Sequence, residues 1–250
     1  MRANDLKTFS RKEVRQAPYS IMSECYRQLR TNLKLSAGAP EHKTLFITSP
    51  DAGDGKTTIT TNLTSTMLAE NKKVLIIDTN FRRPAIANLF PRTSQTGTVI
   101  EHADFGLSNY LMGQCTEIAQ IIRPSGIQGL DIIDSGPLPS NPAELLDSPR
   151  MKEMLEQCKN KYDHVVIDGP PMLVSDAKTL AANADGTIVV VNATATHRGA
   201  AMRILRELQS IRANTIGTVL MGIKSRKGGY FQEVYRAYLE YQRVHVNPNM

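Results

Sequence analysis

Short apolar runs alternate with stretches of helical periodicity along most of this chain. The runs predict strands at Thr44–Thr48, Val74–Asp78, Leu130–Asp134, His164–Asp168, Thr187–Asn192 and Thr215–Ile223. The periodic stretches predict helices at Lys56–Ala69, Leu107–Met112, Pro142–Cys158, Ser175–Asn183 and Arg198–Arg212. V-L-I-I-D and H-V-V-I-D are continuously apolar rather than alternating, the pattern of strands buried on both faces. Strand and helix in alternation predict an α/β domain, a mostly parallel sheet covered by helices on both faces. Ligands in such sheets bind at the C-terminal ends of the strands.

Upstream, Met22, Tyr26, Leu29 and Leu33 recur at spacings of 4, 3 and 4 within Tyr19–Leu35, which predicts an amphipathic helix ended by S-A-G-A-P. The segment Phe90–Ser108 has little periodicity and reads as a surface loop. From Ser225 onward the chain is basic and carries Tyr230, Tyr235, Tyr238 and Tyr241. It reads either as a helix from about Phe231 to Arg243 or as a mobile tail. The organisation is thus a polar arm (1–19), a main domain (20–224) opening with helix 20–35, and a tail (225–250).

Composition narrows the class. At 250 residues and 41% apolar, the chain suits one domain with terminal extensions. No run approaches the roughly 18 apolar residues of a membrane span, and the polar N-terminus does not read as a secretory leader. A membrane role would go through a partner or surface charge. Cys25, Cys115 and Cys158 lack metal-ligand spacing, so they read as reduced, packing thiols of a cytosolic protein. The net charge of +6 divides into +5 over residues 1–43, −5 over the middle and +6 over residues 197–250. Basic flanks around an acidic centre suit acidic protein partners or a membrane surface. Basic and aromatic residues do not interleave as they do in single-strand binders, so nucleic acid is disfavoured.

Three segments carry the chemistry. Thr48–Thr58 reads T-S-P-D-A-G-D-G-K-T-T, a Gly-rich turn from strand to helix. Backbone N–H groups from Gly53, Asp54, Gly55, Lys56, Thr57 and Thr58 would form a nest for phosphate oxygens. Lys56 would reach the β- and γ-phosphates and the Thr57 hydroxyl would ligate Mg2+. The strict G-x-x-x-x-G-K-[ST] pattern fails only at its first position, which is Pro50. Asp78 and Asp168 each end an apolar strand, the placement of carboxylates that hold Mg2+ or its waters. A lone strand-end Asp often just caps a helix, but two beside a phosphate loop describe a Mg-nucleotide site. Arg82 and Arg83 follow Asp78 closely, and one of them, Arg82 first, is a candidate to neutralise charge on the transferred phosphate.

These residues resemble the bacterial tyrosine kinases, P-loop proteins of the MinD-like group that regulate capsule and exopolysaccharide synthesis. The family's S-x-x-P-G-x-G-K-[ST]-T is matched with Ala52 for its proline. Its D-x-D-x-R-R-P is matched by D-T-N-F-R-R-P, with Asn80 at the second aspartate. Its I-D-x-P-P is matched by I-D-G-P-P, and its G-P-x-P-P-N-P-x-E-L-L by G-P-L-P-S-N-P-A-E-L-L over residues 136–146. Glu24, Arg27 and Arg30 match its E-x-x-R-x-x-R oligomerisation helix, and their spacing of three sets them along one stripe that can pair with a second copy. The lysine of the MinD and ParA type is replaced by Asp51, and the C-x-x-C of the iron–sulfur carriers is absent.

The resemblance implies an ATP-dependent protein-tyrosine kinase. It would act as a homo-oligomeric ring in which one subunit's tail tyrosines enter the next subunit's site. It also implies a transmembrane activator of the polysaccharide co-polymerase type, at the cytoplasmic face of the plasma membrane. Asn80 would belong to the catalytic set, but a neutral amide takes no proton from a tyrosine. The tail tyrosines are spaced 5, 3 and 3 rather than adjacent. Met221 stands where the family often has an Asn that could read the base. Two further readings therefore remain: an ATP-bound ring scaffold without phosphotransfer, and a MinD-like ATPase.

Overall fold

The computed structural model describes residues 21–36, 42–93, 99–100 and 105–223, together with positions 233, 236 and 237. The arm 1–19, the expected tail helix and all four tail tyrosines lie outside the described residues, the three isolated positions aside.

Seven strands form one sheet in the order β5-β6-β2-β7-β1-β8-β9. They are β1 (Thr44–Thr48), β2 (Val74–Asp78), β5 (Ile122–Ile127), β6 (Leu130–Ile133), β7 (His164–Asp168), β8 (Gly186–Asn192) and β9 (Thr215–Met221). Every pairing is parallel except β5 with β6. A separate antiparallel pair joins β3 (Arg92–Thr93) to β4 (Val99–Ile100). The helices are α1 (Ile21–Leu35), α2 (Lys56–Leu68), α3 (Ile86–Leu89), α4 (Leu107–Leu111), α5 (Pro142–Asp147), α6 (Pro149–Lys161), α7 (Ser175–Asn183) and α8 (Arg198–Ser210).

The central strands are apolar throughout because each face has its own core. Phe46, Leu75, Ile77, Val165, Ile167 and Val189 point into one layer, covered by Leu107, Leu146, Met154, Leu180 and Ile204 from α4 to α8. Leu45, Ile47, Ile76, Val166 and Ile188 point into the other, covered by Ile59, Leu63 and Met67 of α2 and Tyr26 of α1. Alternate residues thus serve opposite layers, and no interior position on β1, β2 or β7 is free to be polar. Phe46 is fully buried. Truncating it to alanine would cost about 3–5 kcal/mol.

α1 docks on α2 through polar as well as apolar contacts. Arg30 Nη1 donates to the Thr66 carbonyl at 2.5 Å, and Arg30 and Lys34 both reach the Glu70 carboxylate, at 3.0 and 2.5 Å.

The structure corrects four expectations. Pro142–Cys158 is two helices, because Ser148 precedes Pro149 and takes an extended conformation (φ −63°, ψ 151°). Its hydroxyl then accepts from Met151 N at 3.2 Å and caps α6. β5 was not expected, since I-R-P-S-G-I lacks a strand pattern and finds its partner only in the fold. The supposed loop Phe90–Ser108 includes β3, β4 and the first residues of α4. Cys25 is exposed, whereas Cys115 and Cys158 are buried as packing thiols.

Candidate active site

The chain leaves β1 at Thr48 and turns through Ser49–Gly55 into α2. Gly53 and Gly55 have φ of 88° and 102°, values that favour a residue without Cβ. At Gly53 a Cβ would meet nothing within 4 Å, so glycine there serves the backbone rather than the space. Gly55 caps α2 with no side-chain acceptor on the helix N-terminus. Its amides thus face the turn, as an anion requires.

Lys56 is buried, and its Nζ donates to Ser49 Oγ at 2.8 Å and to the Asp51 carbonyl at 3.3 Å. Burial pushes its pKa below the usual lysine range, opposed by the charges of Asp168, Asp54 and Asp51. An ammonium held by two neutral oxygens in a buried loop suits a phosphate as its counter-ion. Asp54 is buried as well, and its carboxylate braces the loop. It accepts from Asp51 N and from the Thr196 hydroxyl, both at 2.9 Å.

Opposite the loop, the parallel register of β2 and β7 sets Asp78 beside Asp168. Each is 1% exposed. Asp168 accepts from the Thr57 hydroxyl at 2.7 Å and the Thr60 hydroxyl at 3.0 Å. Asp78 accepts from the backbone N–H groups of Asn80, Ala85 and Ile86 at 3.0, 2.9 and 3.1 Å, which folds the following loop back over the strand end. Burial raises both pKa values. Asp168 reaches about 6, restrained by the two hydroxyls and by Lys56. Asp78 reaches about 7, because the Asp168 charge adds to burial, while the three amides hold it down.

Two adjacent carboxylates and a threonine hydroxyl form a hard oxygen donor set suited to Mg2+ shared with phosphate oxygens. Gly169 keeps β7 tight against β1 here. A Cβ on it would lie 2.1 Å from the Phe46 ring.

The remaining predicted positions fall as follows. Thr58 opens onto the first turn of α2, where its carbonyl accepts from Asn62 Nδ2 at 2.8 Å. Asn80 is half-buried, two residues beyond Asp78, and its carbonyl accepts from Arg83 N. Arg82 is exposed and pairs with Asp176 of α7. Met221 lies 3.5 Å from where a Gly55 Cβ would be, so the end of β9 overhangs the loop. Glu24 and Arg27 bond each other within α1 at 2.7 Å, while Arg30 is turned to α2. The sequence reading missed Thr60, Thr196 and Asp176. Thr60 lies one helical turn from Thr57 and was accessible by spacing, whereas the other two meet the site only through the fold.

Comparison with known proteins agrees with this arrangement. A family model described as an AAA domain matches residues 42–219. Tyrosine-protein kinase YwqD of Bacillus subtilis is 34% identical over 211 residues, covering 84% of this chain and 85% of YwqD. Tyrosine-protein kinase etk of Escherichia coli is 33% identical over 84% of this chain, which spans 28% of that longer relative. The solved kinase domain of the E. coli enzyme superposes with a TM-score of 0.75 at 31% identity, covering 86% of this chain and 83% of the domain. With its phosphate loop, paired aspartates and these relatives, the chain belongs to the bacterial tyrosine kinases.

Proposed function

We propose that this chain is a Mg-ATP-dependent protein-tyrosine kinase whose acceptors include its own tail tyrosines, Tyr230, Tyr235, Tyr238 and Tyr241. The observation that carries the reading is the buried pair Asp78–Asp168 joined through Thr57 to the helix of the phosphate loop. Lys56 and the amides of Gly53–Thr58 would bind the phosphates, and Thr57, Asp78 and Asp168 would hold Mg2+. When bound, the metal neutralises charge on phosphate oxygens. In the transfer, the bond from the γ-phosphorus to the bridging oxygen breaks and one to the phenolic oxygen forms. ADP leaves, and the phenolic proton passes to solvent. Asn80 takes no part in moving that proton, so catalysis rests on positioning and electrostatics, which dominate phosphoryl transfer.

The match of Glu24, Arg27 and Arg30 to the family's oligomerisation helix supports assembly into a homo-oligomeric ring, in which Arg30 would act through its hold on α2. Among the described residues no helix is long and apolar enough to cross a membrane. A transmembrane partner of the polysaccharide co-polymerase type would hold the chain at the inner face of the membrane, with exopolysaccharide synthesis and export as the regulated process.

Phosphotyrosine mass spectrometry of the protein from its own host tests chemistry and acceptors together. Tail phosphotyrosine is expected, and Lys56→Ala abolishes it. Its absence with the membrane partner present would sink the reading. Asn80 favours one alternative, an ATP-bound ring scaffold, which predicts ATP-dependent oligomers without phosphotyrosine and no gain from Asn80→Asp. Steady phosphate release with no labelled protein would instead identify a MinD-like ATPase.

A further inference from the structure

Arg82 lies in the loop after β2, and its guanidinium rests on Asp176, 94 positions away. The partners sit in different environments: the Asp176 side chain is 2% exposed and that of Arg82 45%. Asp176 Oδ2 takes Arg82 Nη1, whereas Oδ1 is buried with no hydrogen-bond partner among the described residues. A carboxylate is seldom buried so incompletely, because each unpaired oxygen loses its hydration. Asp176 lies in the first turn of α7, where the helix dipole favours negative charge, so its charged form is kept for the arginine.

Both ends of the contact are anchored to the phosphate site. On the Asp176 side, Met172 N donates to the Ser49 carbonyl at 2.8 Å, so the segment entering α7 is pinned to the start of the phosphate loop. On the Arg82 side, Asp78 gathers the amides of Asn80, Ala85 and Ile86 and fixes the loop that carries the arginine. A guanidinium has five N–H donors, so a bond through Nη1 orients it while its other donors remain for a phosphate.

We propose that Asp176 is a positioning residue, holding the Arg82 guanidinium at the rim of the phosphate loop so that Arg82 faces the phosphoryl group in transfer. This deepens the kinase reading and rests on it for the identity of the reaction. With Asn at position 80, Asp176 is the carboxylate that Arg82 meets among the described residues.

A double-mutant cycle on the full chain tests it, with wild type, Arg82→Ala, Asp176→Asn and the double variant, all in Mg2+. One readout is phosphotyrosine formed from ATP. The other is the affinity of a slowly hydrolysed ATP analogue relative to ADP. Asp176→Asn is expected to slow phosphotyrosine formation about 10–100-fold at saturating ATP. It should leave ADP affinity within about twofold of wild type, a loss confined to contacts with the γ-phosphate. It should add nothing to Arg82→Ala, because both variants remove one coupled unit. The analogue-to-ADP ratio should fall about tenfold in all three variants, the size of one charge-assisted contact. Absence of phosphotyrosine from wild type would end the kinase reading, and the affinity ratio alone would then decide the role of Asp176. Losses that multiply in the double variant would overturn the proposal. So would an Asp176→Asn protein with an unchanged ratio, or one that melts lower and binds both nucleotides equally weakly.

Discussion

Two buried carboxylates on neighbouring strands end apolar runs of similar composition, L-D-I-I-D on β6 and V-L-I-I-D on β2, yet do opposite work. Asp134, one residue beyond β6, meets Arg123 of β5 through two bonds, Nε to Oδ2 at 2.6 Å and Nη2 to Oδ1 at 2.8 Å. Arg123 also donates to the Phe90 carbonyl at 2.8 Å, so this buried pair is closed. Asp78, one residue beyond the last paired positions of β2 and β6, receives only backbone amides among the described residues, and the charge that acts on it is another carboxylate's. The lesson is that a strand-end Asp becomes structural or functional according to what arrives opposite it. A guanidinium completes the first, and a neighbouring carboxylate leaves the second with a repulsion that a cation would relieve.

Breaking the closed pair should have the largest effect. Asp134→Asn leaves Arg123 buried without its counter-charge and is expected to cost about 3–5 kcal/mol of stability, read by denaturant or thermal melts. The same change at Asp168 should act on chemistry instead. Asp168→Asn is expected to lower phosphotyrosine formation by about 10²–10³-fold, the loss typical of one preorganised electrostatic partner. Stability should hold or rise, because a repelling buried charge is removed. Equal melting losses for the two variants would erase the distinction.

The pair Asp78–Asp168 should also show itself in pH dependence. Both folded-state pKa values are raised, to about 7 and about 6, so the unfolded chain binds fewer protons than the folded one. The stability contributed by these groups is full below the unfolded carboxylate pKa and is lost as pH rises through 6 and 7. Mg2+ should restore it over that window, so the metal-induced rise in melting temperature grows from pH 5 to pH 8. Asp78→Asn should flatten the trend. A metal effect independent of pH would mean that the two carboxylates do not bind the ion. The smallest effect is expected on the outer surface: Glu70→Gln, which loosens Arg30 and Lys34, should cost less than about 1 kcal/mol in a melt.

Much of this was legible in the chain. Continuous apolar runs identified the central strands because burial on two faces leaves a one-dimensional trace. The phosphate loop was legible because glycine, lysine and threonine act within a few residues of one another. Asp168 and Asp78 were legible as strand ends, but so was Asp134, and nothing local separated them. Arg123 sits in I-R-P-S-G-I, where Pro124 and Gly126 mask an edge strand that only pairing with β6 reveals. Asp176 and Thr196 were invisible for the same reason, their partners being 94 and 142 positions away.

The docking of α1 has a mechanical consequence. α2 carries the phosphate loop at its first residue, while its last turn and Glu70 just beyond hold Arg30 and Lys34. Its 13 residues make a stiff rod about 20 Å long. In the proposed ring, a neighbouring subunit that gripped α1 would grasp the handle of that rod, and any pull on the handle would reach the phosphate loop along its axis.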